Sequence, residues 1–345
     1  MNPIAIRLLA QQLISQQFTS PTEVVSHMGA MQAQDYRMVR WAVAMRTRCP
    51  SADAFRKAFD NGDIVRLHLL RGTWQLVSAE DYWWMLYLCS SKAEATIRGW
   101  MCANHVFIDN NELHVIRDIL VSVCETKGSA TKEDFAEALS ARDIVMDSHR
   151  LTYHIRLAEL SGTLCSGNLS PIYATYALAE QKVRRTQLPE HDEMLYRLAH
   201  KYFQSHSPAT FDDWQWWSGL SVAECRRAID ALGAELRCER WHDYEFYIHD
   251  SCRTRGFRRG VSLMLPPFDE YLIGYKSRNL VLAPKHTRHA HTNNGIFFPI
   301  VVHDGVVCGN WQPWKKNLTI SQFAQMDCNL SVDEQWKVFC KMMQK

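Results

Sequence analysis

The phrase Ala-Thr-x-x-Asp followed by a large aromatic residue occurs twice, ending once in Phe135 and once in Trp214, roughly 80 residues apart. A repeat with that period restricts a chain to arrays of similar supersecondary units, since one such unit is too small to bury its apolar face alone. The first unit opens with apolar residues at helical spacing over residues 4–10. A capped helix start with Pro21 in its first turn follows at residues 19–23, and another helix runs from Ser51 to about Asn61-Gly62. Residues 64–68 and 73–77 are rich in β-formers and are joined by Leu69-Leu70-Arg71-Gly72, which predicts a hairpin. The second unit has helices over 112–124 and 148–160, with the Gly128 to Phe135 stretch between them and a turn plus strand near 161–165. The third unit starts at His191 with a helix to Phe203. The Ser207 to Trp214 stretch, a helix over 221–232 and a strand pair at 236–240 and 244–248 complete it.

Helices followed by a hairpin make the winged-helix pattern, a relative of helix-turn-helix. The expected fold class is mainly α with β-hairpin wings (α+β): three tandem winged-helix motifs plus a small β-rich C-terminal domain. The expected divisions are 1–90, 91–187, 188–252 and 253–345. The tail differs in kind. Its strands lie near 296–302 and 306–311 around an Asp304-Gly305 turn, and a helix begins at about Ser331.

At 345 residues the chain is long enough for two or three well-buried cores, and 47% hydrophobic with 22% charged residues is an ordinary globular balance. Residues 4–13 are broken by Arg7 and Gln11-Gln12 and make a poor secretory leader. No apolar run approaches the roughly 20 residues of a membrane helix. The eleven cysteines contain no C-x-x-C, so neither a disulfide framework nor a metal site is expected and the cytoplasm is the expected compartment. From 253 to 291, eight Lys/Arg stand against Asp269 and Glu270, a local excess of six in a chain whose net charge is +2. Such a field suits a polyanion at one face, though a solvated basic loop would look the same. His286, His289 and His291 lie inside it with no nearby cysteine or paired carboxylate, which favours phosphate contact or solvation over metal ligation.

No G-x-S-x-G, P-loop, H-E-x-x-H or Rossmann glycine run is present. The stretch that could carry chemistry is Met31-Gln32-Ala33-Gln34-Asp35-Tyr36. Gly29 is a plausible stop for the helix that starts at Pro21, which leaves both glutamines on an extended segment where residues i and i+2 share a face. Taken alone, the stretch is also what two solvated glutamines after a surface helix would look like.

That stretch occurs in order with Leu70-Arg71-Gly72-Thr73-Trp74, then Ser207-Pro208-Ala209-Thr210 with Trp216-Trp217-Ser218-Gly219-Leu220, then Pro267-Phe268-Asp269-Glu270-Tyr271 with Gly274-Tyr275-Lys276-Ser277-Arg278. Together these resemble the winged-helix DNA-binding family of AlkZ- and YcaQ-type DNA glycosylases, over nearly the whole chain. The resemblance implies three tandem winged helices and excision of bulky N7-alkylguanines, with interstrand crosslinks unhooked by some members. It makes Gln32-Ala33-Gln34 the counterpart of the Gln-aliphatic-Gln motif of the AlkZ branch, with Ala33 a small middle residue. Gln32 and Gln34 are then the expected catalytic pair, and Asp35 a further electrostatic partner that strand alternation points away from them. Expected DNA contacts are Arg66, His68 and Arg71 on the first hairpin, with Arg253, Arg255, Arg258, Arg259, Lys276 and Arg278 in the basic segment. Trp74 suits the core better than a stacking platform. The expected partner is duplex DNA with alkylated bases, met by a monomer without cofactor or membrane. Two rivals remain at this level: a non-catalytic winged-helix regulator or architectural protein, and a small-molecule sensor built on the C-terminal domain.

Overall fold

Local capping signals set the helix starts of the computed structural model, which describes residues 2–314, 317–323 and 331–343. Ser20 and Glu23 form a reciprocal capping box at Pro21–Met28, and Ser221 and Glu224 form another at Val222–Leu232. The two copies of the repeated phrase do the same: Thr131 with Asp134 caps Lys132–Ser140, and Thr210 with Asp213 caps Phe211–Ser218. The alanine before each threonine pairs with a strand tyrosine, Ala130 with Tyr176 and Ala209 with Tyr247. The aromatic residue after each aspartate, Phe135 or Trp214, is fully buried. One phrase thus caps a helix, ties it to a hairpin and fills the core beneath.

Half of the described residues are helical and 17% are strand, distributed over small sheets. The chain divides into two compact units, Met1–Phe55 with Leu195–Lys345, and Arg56–Met194. The helix Ala52–Asp60 carries the chain into the second unit and His191–His206 brings it back.

In the second unit, Ile64–His68 and Trp74–Ser78 form an antiparallel hairpin with Val65 opposite Val77. The helix Ala79–Ala103 follows directly, so the division expected at 90/91 falls inside a continuous helix. Asn110–Lys127, Lys132–Ser140 and Ser148–Leu160 pack around Leu120, Phe135, Leu151 and Ile155, and the strands Leu164–Ser166 and Thr175–Leu178 pair beside them.

In the first unit, Phe211–Ser218 and Val222–Leu232 precede the hairpin Leu236–Trp241 with Tyr244–His249. The tail makes a four-stranded sheet of Asn317–Gln322, Val306–Trp314, Ile300–His303 and Ser262–Leu265, in that spatial order. It does not close on itself as a separate small domain. Leu8, Leu9 and Leu13 from the chain's start, with Trp41, Ala44 and Met45 from the helix Val39–Arg46, share one core with Met264, Val301, Trp311 and Phe339. Trp41 Nε1 donates to Met264 O and Trp311 Nε1 to Leu265 O, both at 2.7 Å, while Phe339 meets both indoles edge-on. The tail strands cover one face of their sheet with helices more than 200 residues upstream, Trp41 standing 223 positions before Met264, a pairing that tail composition alone could not show.

If the two ends of the chain form one core, Trp41→Ala should cost about 3–5 kcal/mol, the usual range for emptying a large aromatic site. Urea-dependent hydrogen exchange of the Met264 and Val301 amides in that background should show opening at lower denaturant. Unchanged protection of those amides would mean that the tail sheet folds without the N-terminal helices.

Candidate active site

Pro21–Met28 ends at Gly29, whose φ of +75° is cheap only for glycine, and a Cβ there would stand 3.0 Å from Lys201 Cβ. Lys201 also reaches back to Ser26 O at 2.8 Å, which fixes the helix end against His191–His206. The chain then extends as the short strand Met31–Gln32, anchored by Ala30, Met31 and Ala33, all essentially without exposure. The extended reading holds for Gln32, but Gln34 lies just beyond the strand in a bend.

Gln32 is buried, and its backbone N–H donates to Glu270 Oε1 at 2.6 Å. Gln34 is half-buried, and among the described residues its side chain has no hydrogen-bond partner. The pair is therefore asymmetric: one glutamine is fixed through its backbone, and the other offers a polar amide toward solvent. Asp35 has a different task. Its Oδ1 accepts from the backbone N–H groups of Arg37 and Met38, both at 3.0 Å, and leads the chain into Val39–Arg46. With that oxygen engaged by backbone donors, the carboxylate serves the turn.

Glu270 is the hub. Its Oε2 accepts from Trp217 Nε1 at 3.3 Å and lies 3.2 Å from His206 Nε2, while its own backbone carbonyl accepts from Gln11 Nε2 at 3.3 Å. Burial holds the His206 imidazole below its ordinary pKa, against the opposing pull of Glu270, so the ring is neutral at pH 7. Beside Glu270, Asp269 caps the short helix Glu270–Ile273 through Tyr271 N and receives both terminal nitrogens of Arg46, at 2.9 and 2.8 Å. Arg46 Nη2 also donates to Gln11 Oε1 at 2.9 Å, and Gln11 Nε2 lies 3.1 Å from Tyr275 Oη. Tyr275 Oη donates to His206 O at 2.8 Å, and its ring lies 3.5 Å beneath the Arg7 guanidinium. Gly274 permits this closure, because a Cβ there would meet His206 Cδ2 at 2.7 Å.

Three of the four sequence motifs therefore meet in space; Leu70-Arg71-Gly72-Thr73-Trp74 belongs to the second unit. Gln32, Trp217, and Asp269 with Glu270 and Tyr275 join one buried network in the first unit, together with His206, which no motif contains. Gln11, Arg46 and Arg7 complete it and were not singled out from the sequence. The available signal was their position inside apolar-periodic helices, where a buried polar residue needs a partner.

The expected DNA contacts separate by burial. Arg255, Arg258 and Arg259 are exposed on the segment before Ser262–Leu265, and Lys276 is exposed although paired with Asp212 at 3.2 Å. Arg253 is half-buried and donates to Ser15 O at 2.9 Å. Arg278 is half-buried, packs over the Trp216 and Phe297 rings and donates to Leu272 O. In the second unit Arg66 and His68 are buried: Arg66 stacks on Trp74 and His68 pairs with Glu159. Period-2 alternation predicts an outward face for that hairpin, but all five residues of Ile64–His68 are covered. Trp74 is half-buried and packs against Arg66 and His68. Arg71, at the hairpin turn with φ of +56°, is half-buried. A cleft of about 610 Å³ lies between the third hairpin and the Gly-Tyr-Lys-Ser-Arg motif, with Tyr244, Tyr247, Lys276 and Arg278 on its walls.

The family described as "DNA glycosylase AlkZ-like" matches residues 25–327. A curated relative from Streptomyces sahachiroi, named "Interstrand DNA cross-link repair glycosylase", is 22% identical over 333 residues, covering 92% of this chain and 89% of the relative. The solved structure of Streptomyces sahachiroi DNA glycosylase AlkZ superposes with a TM-score of 0.77 at 20% identity, over 99% of this chain and 95% of that one. That likeness carries the fold, and the family match over most of the chain carries the membership. With three of its four motifs gathered around the Gln32 backbone, the chain belongs to the AlkZ-like family of DNA glycosylases.

Proposed function

We propose that this glycosylase hydrolyses the N-glycosidic bond of cationic alkylated purines in duplex DNA, N7-alkylguanine foremost, with Gln32 and Gln34 positioning the attacking water. The observation that carries the reading is the asymmetric pair: a strand pinned through Gln32 N–H to Glu270, followed by a half-exposed Gln34 amide with no partner among the described residues. An amide supplies an acceptor for water and a donor to sugar or phosphate, but it is no base. Its contribution is to hold reactants in place, which is sufficient when the leaving base already carries positive charge. Glu270 is no substitute acid, since both of its oxygens are committed to buried donors. Opening or unstacking the damaged nucleotide costs a few kcal/mol and least at a lesion. The crosslink named for the Streptomyces relative extends the proposed substrates to interstrand crosslinks through alkylated purines. The scaffold is read as three tandem winged helices, supported by the capped phrase shared by the second and third, and the exposed Arg255, Arg258 and Arg259 as phosphate contacts.

Gln34→Ala should lower single-turnover release of N7-methylguanine by about 10²-fold or more, the range for a positioned catalytic group, with duplex affinity within a few-fold. Gln32→Ala should behave alike. Full activity in both variants would remove the motif from the mechanism.

Substrate charge supplies a second measurement. Matched duplexes bearing N7-methylguanine or N3-methyladenine should release base, whereas those bearing uracil or hypoxanthine should not. Efficient release of a neutral base would require an acid the positional mechanism lacks, and tight binding with no release at all would favour a regulator.

The exposed arginines make the third. Neutralising Arg255, Arg258 or Arg259 should weaken all duplex sequences about equally and reduce the salt slope by about one phosphate contact each. An unaltered slope would place the DNA elsewhere.

A further inference from the structure

Away from the glutamines, His200, Glu235 and His249 bring their ligand atoms within 4.8 Å of one another. His200 lies on His191–His206, Glu235 ends the turn Gly233–Glu235, and His249 ends the strand Tyr244–His249. The last two are held at the base of one hairpin, where Leu236 pairs with His249 and Asp250 N donates to Glu235 O at 2.8 Å. Glu235 Oε2 lies 3.5 Å from His200 Nε2 and 3.4 Å from His249 Nε2. Those separations are long for charge-assisted hydrogen bonds, which run about 2.7–2.9 Å. They match the edge of a tetrahedron whose centre is about 2.0–2.1 Å from each ligand, roughly 3.3–3.4 Å.

Two further observations point the same way. His249 is almost wholly buried, and its Nε2 has no hydrogen-bond partner although it faces the other two ligands. The remaining polar atoms are oriented as a metal site requires. Tyr196 Oη donates to Glu235 Oε1 at 3.0 Å, which leaves Oε2 for the cluster. His249 Nδ1 has Ser251 Oγ at 2.8 Å and Asp250 Oδ1 at 3.2 Å as acceptors for its proton once Nε2 is a ligand. In the alternative tautomer Nδ1 accepts from Ser251 N at 3.2 Å.

We propose that His200, Glu235 and His249 bind one divalent cation of the zinc type, with water as the fourth ligand, and so fasten the helix His191–His206 to the base of the third hairpin. Two imidazoles and one carboxylate suit zinc or cobalt and poorly suit magnesium or calcium, which prefer all-oxygen sites. His200 and Glu235 remain about one-third exposed, which gives an ion a way in.

The test uses the untagged full chain, stripped with chelator and then titrated with Zn²⁺ by calorimetry and with Co²⁺ by visible absorption. One equivalent should bind, raise the thermal unfolding midpoint, and give a cobalt spectrum without thiolate charge transfer. His200→Gln and Glu235→Gln, mild changes on the open side of the site, should each abolish the stoichiometric binding and the thermal shift. Asp250→Asn should weaken binding by about 10–100-fold, the cost typical of an outer partner of a ligand histidine. His289→Ala should leave binding unchanged. The proposal is overturned by absence of saturable binding, by retained binding in folded His200→Gln and Glu235→Gln, or by a thiolate band that moves the ion to a cysteine.

Discussion

The Arg46–Asp269 ion pair, buried at both ends, is the contact on which the arrangement around Gln32 depends. Removing two charges from water costs several kcal/mol per ion, and their attraction offsets this only when the geometry is good and the spare donors and acceptors are satisfied. Here the fork is bidentate, Gln11 and Ala42 O take further donors of Arg46, which leaves its Nε without a hydrogen bond, and Asp269 also caps a helix. Leaving one partner alone would strand a buried charge at a cost of about 3–5 kcal/mol. The pair therefore fixes where residues 269–275 lie relative to the chain's first fifty residues. That placement brings Glu270 to the Gln32 backbone.

A carboxylate beside a proposed water-positioning amide would ordinarily be taken for the acid or base of the reaction. Its surroundings argue otherwise. Glu270 is buried and accepts from a backbone amide and an indole, with a neutral imidazole as third neighbour. Its hydrogen bond to Gln32 N–H holds a two-residue strand, and the half-exposed Gln34 lies just beyond it. This division suits a reaction whose leaving group is already activated, because orientation is then most of what the protein must supply.

Charge counted along the sequence overstated the basic surface in some places and understated it in others. Asp269 and Glu270 subtract from the formal sum of residues 253–291 but are buried in the network, so they offset little of the field outside. Arg278 adds to the sum but is engaged by aromatic faces and a carbonyl. What remains for a polyanion in that segment is Arg255, Arg258 and Arg259, three exposed cations within five positions, with the exposed Lys285 and Arg288 further along. A residue count registers formal charge; only burial decides how much of it the solvent sees.

Helix starts and hairpins were legible because their causes are local. A threonine three residues before an aspartate satisfies its own helix end, and a glycine at positive φ ends a helix wherever it sits. The helix Ala79–Ala103 escaped for an equally local reason. Residues 81–86 are buried all round, so no periodic face marks that half, and only Ala93, Ile97 and Met101 keep a four-residue spacing. The motifs announced a family and named Gln32 and Gln34, but not the reason they should be held. That depends on residues 11, 46, 206, 217, 270 and 275 meeting across more than two hundred positions. The cluster of His200, Glu235 and His249 is of the same kind, since no short spacing joins its members. The sequence by itself determined the elements, because a capping hydrogen bond spans three residues. Tertiary structure alone decided which polar groups are buried together, because a buried charge is tolerated only where distant parts of the chain satisfy it.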